Sequence, residues 1–226
     1  MNIGSYEFQV LVGGKPLTEY SHQRDVFVEG RKGNEYTLRV RNTSERKVLA
    51  VVSVDGLSVM DGKPASEDGG GYVIHPYSYV DIPGWRLNND DVAKFVFAEL
   101  PESYASQMGT PENIGVIGTV IFREKRVEPV WRGADQYPDI SFESLGGPQA
   151  KTTRGVGTGF GKRQEHRVQS VDFERESARA AKFVLRYDDA DGLRARGIVL
   201  ENDRVVNADP FPKGKTGATP PPGWKG

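Results

Sequence analysis

The sequence predicts an all-β fold, a β-sandwich or a jelly roll. In residues 48–55, six of eight residues are apolar and four of them are valine. This run is too short for a buried helix and rich in residues that fit a pleated sheet, so it predicts a central strand covered on both faces. Many other short apolar or alternating segments are separated by glycine and proline turns, and no segment is a convincing amphipathic helix.

Strands before and after this run are indicated by the same patterns. Residues 6–12 and 35–41 alternate apolar and polar side chains, which predicts half-buried strands. We expect residues 35–41 and 47–55 to form a hairpin, because a short polar turn joins them. Residues 115–124 form a second apolar strand that should pair near the first. Shorter strands are predicted at residues 26–29, 72–74, 79–82 and 92–98.

The second half of the chain predicts a different organisation. Glycine and proline break any periodicity between residues 125 and 163, which favours an arm or linker. Residues 181–187 and 193–200 are predicted to form a hairpin. The predicted division is a β-sandwich domain at 1–125, a glycine- and proline-rich arm at 126–165, a small β subdomain containing the hairpin unit at 166–209, and an extended proline-rich tail at 210–226.

Composition excludes several classes of function. The chain has no cysteine, which excludes thiolate catalysis and cysteine-ligated zinc. A net charge of −1 argues against a dedicated nucleic-acid binder, and no apolar stretch has the length of a membrane helix. Charge is uneven, with a net −7 over residues 55–114 and a net +5 over residues 150–186. These two oppositely charged segments are expected either to contact each other, within the chain or between subunits, or to form separate surfaces that remain in contact with solvent.

The motifs do not predict a cofactor or a metal. The glycines of residues 155–161 miss the spacing of dinucleotide and phosphate loops, so a pliable arm or a close backbone approach explains them better. Residues 189–192 resemble part of a calcium loop but lack its essential carboxylates, which favours a turn. His22, His75 and His166 lie on separate segments without metal-site spacing.

Paired carboxylates and exposed aromatic residues are the remaining candidates. Asp55, Asp61 and Asp81 could line a cleft as the acid and base of a hydrolase, although aspartate beside glycine is more often a turn. Large aromatics in irregular, proline-flanked stretches often anchor a chain into a partner surface. We predict partner-binding roles for four aromatic residues: Trp131, Phe160, Phe211 and Trp224. Trp85, in a Pro-Gly-Trp corner, is instead predicted to be a core residue.

Several segments resemble a family of uncharacterised proteins that occurs in proteobacterial genomes and in phages. The resemblance covers most of the chain apart from the tail. It implies a phage association and brings no catalytic residues with it. The segments that carry it are residues 46–57, 61–66, 71–73, 82–86, 113–118, 157–161 and 193–198.

These observations predict a non-enzymatic structural protein of a phage particle, at the head surface, neck or tail, that joins its neighbours through extended arms. The expected partners are other virion proteins or copies of itself, as a homo-oligomer, with no nucleic acid and no membrane. The expected location is the virion, assembled in the bacterial cytoplasm. The alternative is a carbohydrate- or ligand-binding β-module, which would use residues 56–71 together with Tyr72, Tyr77, Tyr79 and Trp85.

Overall fold

Two β-sheets pack face to face and form the body of the molecule. The structure, a computed structural model, describes residues 1–126 and 155–203. Its strands are β1 (Asn2–Ile3), β2 (Tyr6–Val12), β3 (Lys15–Pro16), β4 (Tyr20–His22), β5 (Asp25–Glu29), β6 (Glu35–Asn42), β7 (Val48–Val54), β8 (Leu57–Ser58), β9 (Tyr72–Ile74), β10 (Ser78–Ile82), β11 (Gly84–Arg86), β12 (Asp91–Glu99), β13 (Val116–Glu124), β14 (Val156–Glu165) and β15 (Arg175–Asp188). Its α-helices are α1 (Tyr104–Gln107) and α2 (Ala190–Ala195), and short 3-10 turns lie at Leu100–Glu102, Pro111–Asn113 and Glu201–Asp203.

The first sheet has the order β1-β2-β6-β12-β11, with β3 beside β2, β10 beside β6 and β14 beside β12. The second sheet has the order β4-β5-β15-β13-β7-β8, with β9 beside β7. Neighbouring strands are antiparallel except for β15 and β5, which run parallel. The predicted all-β sandwich is therefore confirmed. Within the described residues, no helix is long and apolar enough to cross a membrane.

The core lies between the sheets, where alternate residues of each strand point inward. Phe8, Leu38 and Val40 of the first sheet are fully buried, as are Ile117 and Phe183 of the second. The rings of Phe8 and Phe183 meet across the interface, with their centroids 5.8 Å apart. Period-two alternation in β2 and β6 therefore places one apolar face against the core and one polar face towards solvent.

Strand β7 is a central strand, as its apolar sequence predicts. It pairs antiparallel with β13 along its whole length, from Val48 opposite Arg123 to Val54 opposite Ile117. Its inward residues join the main core, and on its outer face Val51 belongs to a second small apolar cluster with Val120 and Phe122. A strand that buries both faces needs apolar residues at odd and even positions alike.

The predicted hairpin of β6 and β7 is wrong, because the two strands belong to different sheets. The intervening residues form an arch that crosses the sandwich, and buried Asn42 stabilises it. The Asn42 side-chain amide donates to the carbonyl oxygens of Arg46 (2.7 Å) and His75 (3.1 Å), and its oxygen accepts from the Ser44 amide (3.0 Å). One side chain thus satisfies the backbone groups that a hairpin would have paired.

Residues 156–165 are strand β14 rather than the predicted arm. The strand pairs antiparallel with β12, from Glu99 opposite Val156 to Asp91 opposite Glu165. Its glycines allow close packing, since a Cβ at Gly157 would lie 2.5 Å from the Ser103 Cβ and one at Gly161 would lie 2.6 Å from a Val96 methyl. Close backbone approach, the second explanation for this glycine run, is the one that the structure shows.

The C-terminal part of the described chain extends the sandwich and does not form a separate hairpin unit. Strand β15 lies between β13 and β5 in the second sheet. Where the second hairpin strand is predicted, helix α2 begins after Asp189, whose carboxylate accepts from the Gly192 amide at 2.7 Å. This N-cap overrides the turn signal of the aspartate-glycine sequence. The helix buries Leu193 in a small cluster with Phe27, Ile198 and Leu200.

The oppositely charged segments meet within the chain. Glu67 lies 2.8 Å from Arg179 and 3.0 Å from Lys182, and Asp68 pairs with Arg175. The loop that carries Glu67 and Asp68 therefore lies against β15, over the outer apolar cluster of the second sheet.

Candidate functional site

The carboxylate of Asp55, which follows β7, is fully buried. Its side chain is 0% exposed and its backbone has a φ of 52°. Oδ1 accepts hydrogen bonds from the Gly115 amide (2.9 Å) and the Tyr187 hydroxyl (2.6 Å), and Oδ2 accepts from the Thr158 amide (2.8 Å). Asp55 therefore joins β7, the start of β13, β14 and β15 at one end of the sandwich.

A chain of hydroxyl groups extends from this carboxylate across the core. Tyr187 Oη lies 2.7 Å from Thr158 Oγ1, which lies 2.6 Å from Tyr36 Oη. When Asp55 is ionised, each hydroxyl donates to the next one towards the carboxylate, and all three protons have acceptors. Burial beside Asp55 raises the pKa of both Tyr36 and Tyr187 well above the ordinary value. The hydroxyls therefore stay protonated and stabilise the buried charge.

Burial raises the pKa of Asp55 from 3.8 to about 6, and the hydrogen bonds from Tyr187, Thr158 and Gly115 oppose the rise. Both oxygens of the carboxylate accept hydrogen bonds from groups within the protein, and solvent does not reach them. These hydrogen bonds stabilise the contact between the four strands.

Stability should therefore depend on pH through Asp55. Between pH 3.8 and about 6 the folded chain keeps a proton that the unfolded chain has lost. Protonation of Asp55 in the folded chain therefore adds about 3 kcal/mol of stability, which is fully present below pH 3.8 and is lost as the pH rises through about 6. Urea unfolding of wild type and Asp55→Asn from pH 4 to 7.5 checks this. The difference in unfolding free energy between wild type and Asp55→Asn should narrow as the pH rises. A difference that widens would contradict a raised pKa of Asp55.

A cavity of about 320 Å³ opens at the same end of the sandwich. Two ion pairs line it: Asp25 lies 3.0 Å from Arg186, and Asp188 lies 3.4 Å from Arg196. Burial raises the pKa of Asp188, while the Asp189 amide and Arg196 act in the opposite direction. Each lining carboxylate thus faces an arginine, and the charges that line the cavity balance.

The three carboxylates predicted for a hydrolase are not brought together. Asp55 is enclosed in the core, Asp61 is exposed in a turn, and Asp81 lies on β10 of the other sheet. Both oxygens of Asp81 accept from the guanidinium of Arg39 at 2.7 Å. The structure therefore offers no acid–base pair among these residues.

The four aromatic residues of the alternative binding module separate into two groups. Tyr72 and Trp85 are buried and contribute to the core. Tyr77 and Tyr79 are exposed, and the guanidinium groups of Arg39 and Arg41 lie 4.5 and 5.7 Å from the Tyr79 ring centroid. Only Tyr77 and Tyr79 are accessible to a ligand.

Of the four predicted partner-binding residues, Phe160 lies on β14 and the other three, Trp131, Phe211 and Trp224, lie outside the described residues. Phe160 is 47% exposed, and its ring centroid lies 5.0 Å from that of Tyr104 in α1. One edge of the Phe160 ring therefore packs on its own subunit, and the other edge is exposed and available for contact with a partner.

The three histidines lie apart, and within residues 1–126 and 155–203 no group of three His, Cys, Asp or Glu side chains could hold a metal ion. Sequence reasoning missed the role of Asp55, which it treated as a turn residue. A carboxylate directly after a strand with six apolar residues of seven was the available signal, because such a position is buried and needs donors. Its partners Thr158 and Tyr187 had no sequence signal.

Comparisons with protein-family models, with curated proteins and with solved structures found no match to this chain. We therefore infer its function from the surfaces described above. The edge of β14 around Phe160 is exposed and lacks a partner strand among the described residues. A second surface, a groove beside β9 and β10, contains Arg86.

Proposed function

We propose that this chain is a non-enzymatic structural protein of a phage particle that joins copies of itself or other virion proteins. The observation that carries the proposal is the edge of β14. This ten-residue strand pairs with β12 on one side, and no strand of the described residues pairs with its other side. Residues 156–159 are buried, so the accessible part of this edge is residues 160–165. An unpaired strand edge presents backbone donors and acceptors that another chain can extend.

The side chains of β14 suit such a contact. Phe160 presents a half-exposed ring in the middle of the strand, and Lys162 and Arg163 follow it as exposed charges. The Thr158 amide points away from β12 and donates to Asp55 at 2.8 Å, which holds this part of the strand in place. The edge is thus a rigid template, and its charged end limits unspecific pairing.

Phe160→Asp should weaken association between copies. A charge in the centre of an apolar contact must be desolvated without a partner, and we expect at least a tenfold loss in association constant. Analytical ultracentrifugation of the full chain measures the effect. Val199→Asp is the matched control, because Val199 is 62% exposed and lies away from β14. A wild-type chain that remains monomeric at high concentration, or equal effects of both variants, would contradict a role of β14 in self-association.

The location in a particle requires a separate measurement. Mass spectrometry of phage particles purified from the host that encodes this chain should detect it in stoichiometric amounts. Particles without the chain would defeat the proposed virion role, whatever its oligomeric state.

A glycan-binding module is the second candidate, favoured by the exposed Tyr79 ring beside Arg39 and Arg41. Aromatic faces with adjacent polar groups suit sugar stacking. A glycan array with the full chain and with Tyr79→Ala distinguishes the two proposals, since the structural role needs no glycan.

A further inference from the structure

A groove of about 770 Å³ lies between the two sheets on one side of the sandwich. It is bordered by β9, by β10 and by residues 166–174, which cross from the first sheet to the second. Its volume is within the range of small-molecule sites. The apolar side chains that line it are Leu49, Met60, Val73, Val80, Val168, Val171 and Phe173.

Arg86 supplies a positive charge to this groove that no carboxylate of the described residues neutralises. Its guanidinium donates to the Tyr72 hydroxyl (2.8 Å), to the carbonyl oxygens of His166 (2.6 Å) and Asn88 (3.3 Å), and to His166 Nδ1 (2.6 Å). These acceptors are neutral. The buried Nε–H has no hydrogen-bond partner among the described residues. An arginine in this state is expected to attract an anion.

The neighbouring groups do not remove this charge. Burial, and then the charge of Arg86, lower the pKa of His166, so its ring is neutral and accepts at Nδ1. Arg175, the other arginine of the groove, already pairs with Asp68. The groove therefore holds one more cation than anion beside its apolar side chains.

We propose that this groove binds a small amphipathic carboxylate, with its anionic head at Arg86 and its apolar body along the side chains of Leu49, Val80 and Val171. The head would neutralise the guanidinium, whose acceptors within the protein are neutral. The body would cover apolar surface that is now open to water. This binding site is separate from the β14 edge and does not depend on the proposed virion role.

Calorimetric titration of the full chain with dodecanoate, below its critical micelle concentration, tests the proposal. Dodecanol is the matched neutral ligand. We expect saturable binding of one dodecanoate per chain, at least tenfold tighter than that of dodecanol. Absence of saturable binding, or equal affinity for the two ligands, would overturn it.

Two variants test whether the ligand binds in the groove. Val171→Asp puts a negative charge at the groove, and it should weaken dodecanoate binding at least tenfold; Val171 is 60% exposed, so the fold should tolerate the change. Val199→Asp, at an equally exposed position away from the groove, should bind as wild type. Arg86→Met should abolish the preference for dodecanoate over dodecanol. Unchanged binding by Val171→Asp, or a preference retained in Arg86→Met, would place the ligand elsewhere and refute the site.

Discussion

Asp55→Asn should lower the free energy of unfolding by about 3 kcal/mol at pH 7.5. The carboxylate accepts from two backbone amides, of Gly115 and of Thr158, one on each oxygen. An asparagine amide has one oxygen, so in either orientation a buried backbone N–H faces an NH₂ group. A buried donor without an acceptor costs about 1–3 kcal/mol, and the bonds lost are to a charged acceptor, which are the stronger kind.

Urea denaturation followed by circular dichroism measures this effect. Asp61→Asn is the matched control, because Asp61 also precedes a glycine but is exposed. It should change the free energy of unfolding by less than about 0.5 kcal/mol. Equal stabilities of the two variants would show that the Asp55 carboxylate does not stabilise the fold.

Trp85→Ala should cost about 4 kcal/mol. The side chain is 2% exposed and packs between Phe95 and Tyr104, with ring centroids 5.3 and 5.0 Å away. Removing it leaves a cavity at a point where β11, β12 and α1 meet, and substitutions of this kind typically cost about 3–5 kcal/mol. Trp85 Nε1 has no hydrogen-bond partner in the described chain, so the loss is one of packing.

Thermal and urea unfolding of the variant measure the loss. Tyr77→Ala is the control, since Tyr77 is 75% exposed and its removal opens no cavity. It should stay within about 0.5 kcal/mol of wild type. A loss below about 1 kcal/mol for Trp85→Ala would mean that Trp85 is not the core residue that its burial indicates.

The hydrogen bonds of Asp55 also connect the stability of the fold with the proposed function. Thr158 is the residue of β14 that bonds to both Asp55 and Tyr187, and it lies two residues from Phe160. The edge that we propose as a contact surface is thus held by a fully buried carboxylate. A rigid edge reduces the ordering cost when a neighbour binds.

Local sequence patterns were sufficient to predict the fold class and most strands in the first half of the chain. The alternation in β2 and β6 and the apolar runs of β7 and β13 predict strands, and the structure has them. Trp85 was predicted to be a core residue and is buried. These features depend on residues one or two positions apart, so a single segment contains the information.

The tertiary structure decided which strands pair and what the polar residues do. Asn42 stabilises the crossing of the chain from one sheet to the other, where the sequence predicts a hairpin. The glycine-rich β14 is a strand because its glycines let it pack closely against β12 and α1. Asp55 finds its partners 103 and 132 residues away, in Thr158 and Tyr187. By itself the sequence determined the fold class and most strands of the first half of the chain, since side-chain alternation is a local property. Strand pairing, the buried carboxylate and the unpaired edge depend on contacts between distant segments, which exist only once both sheets are in place.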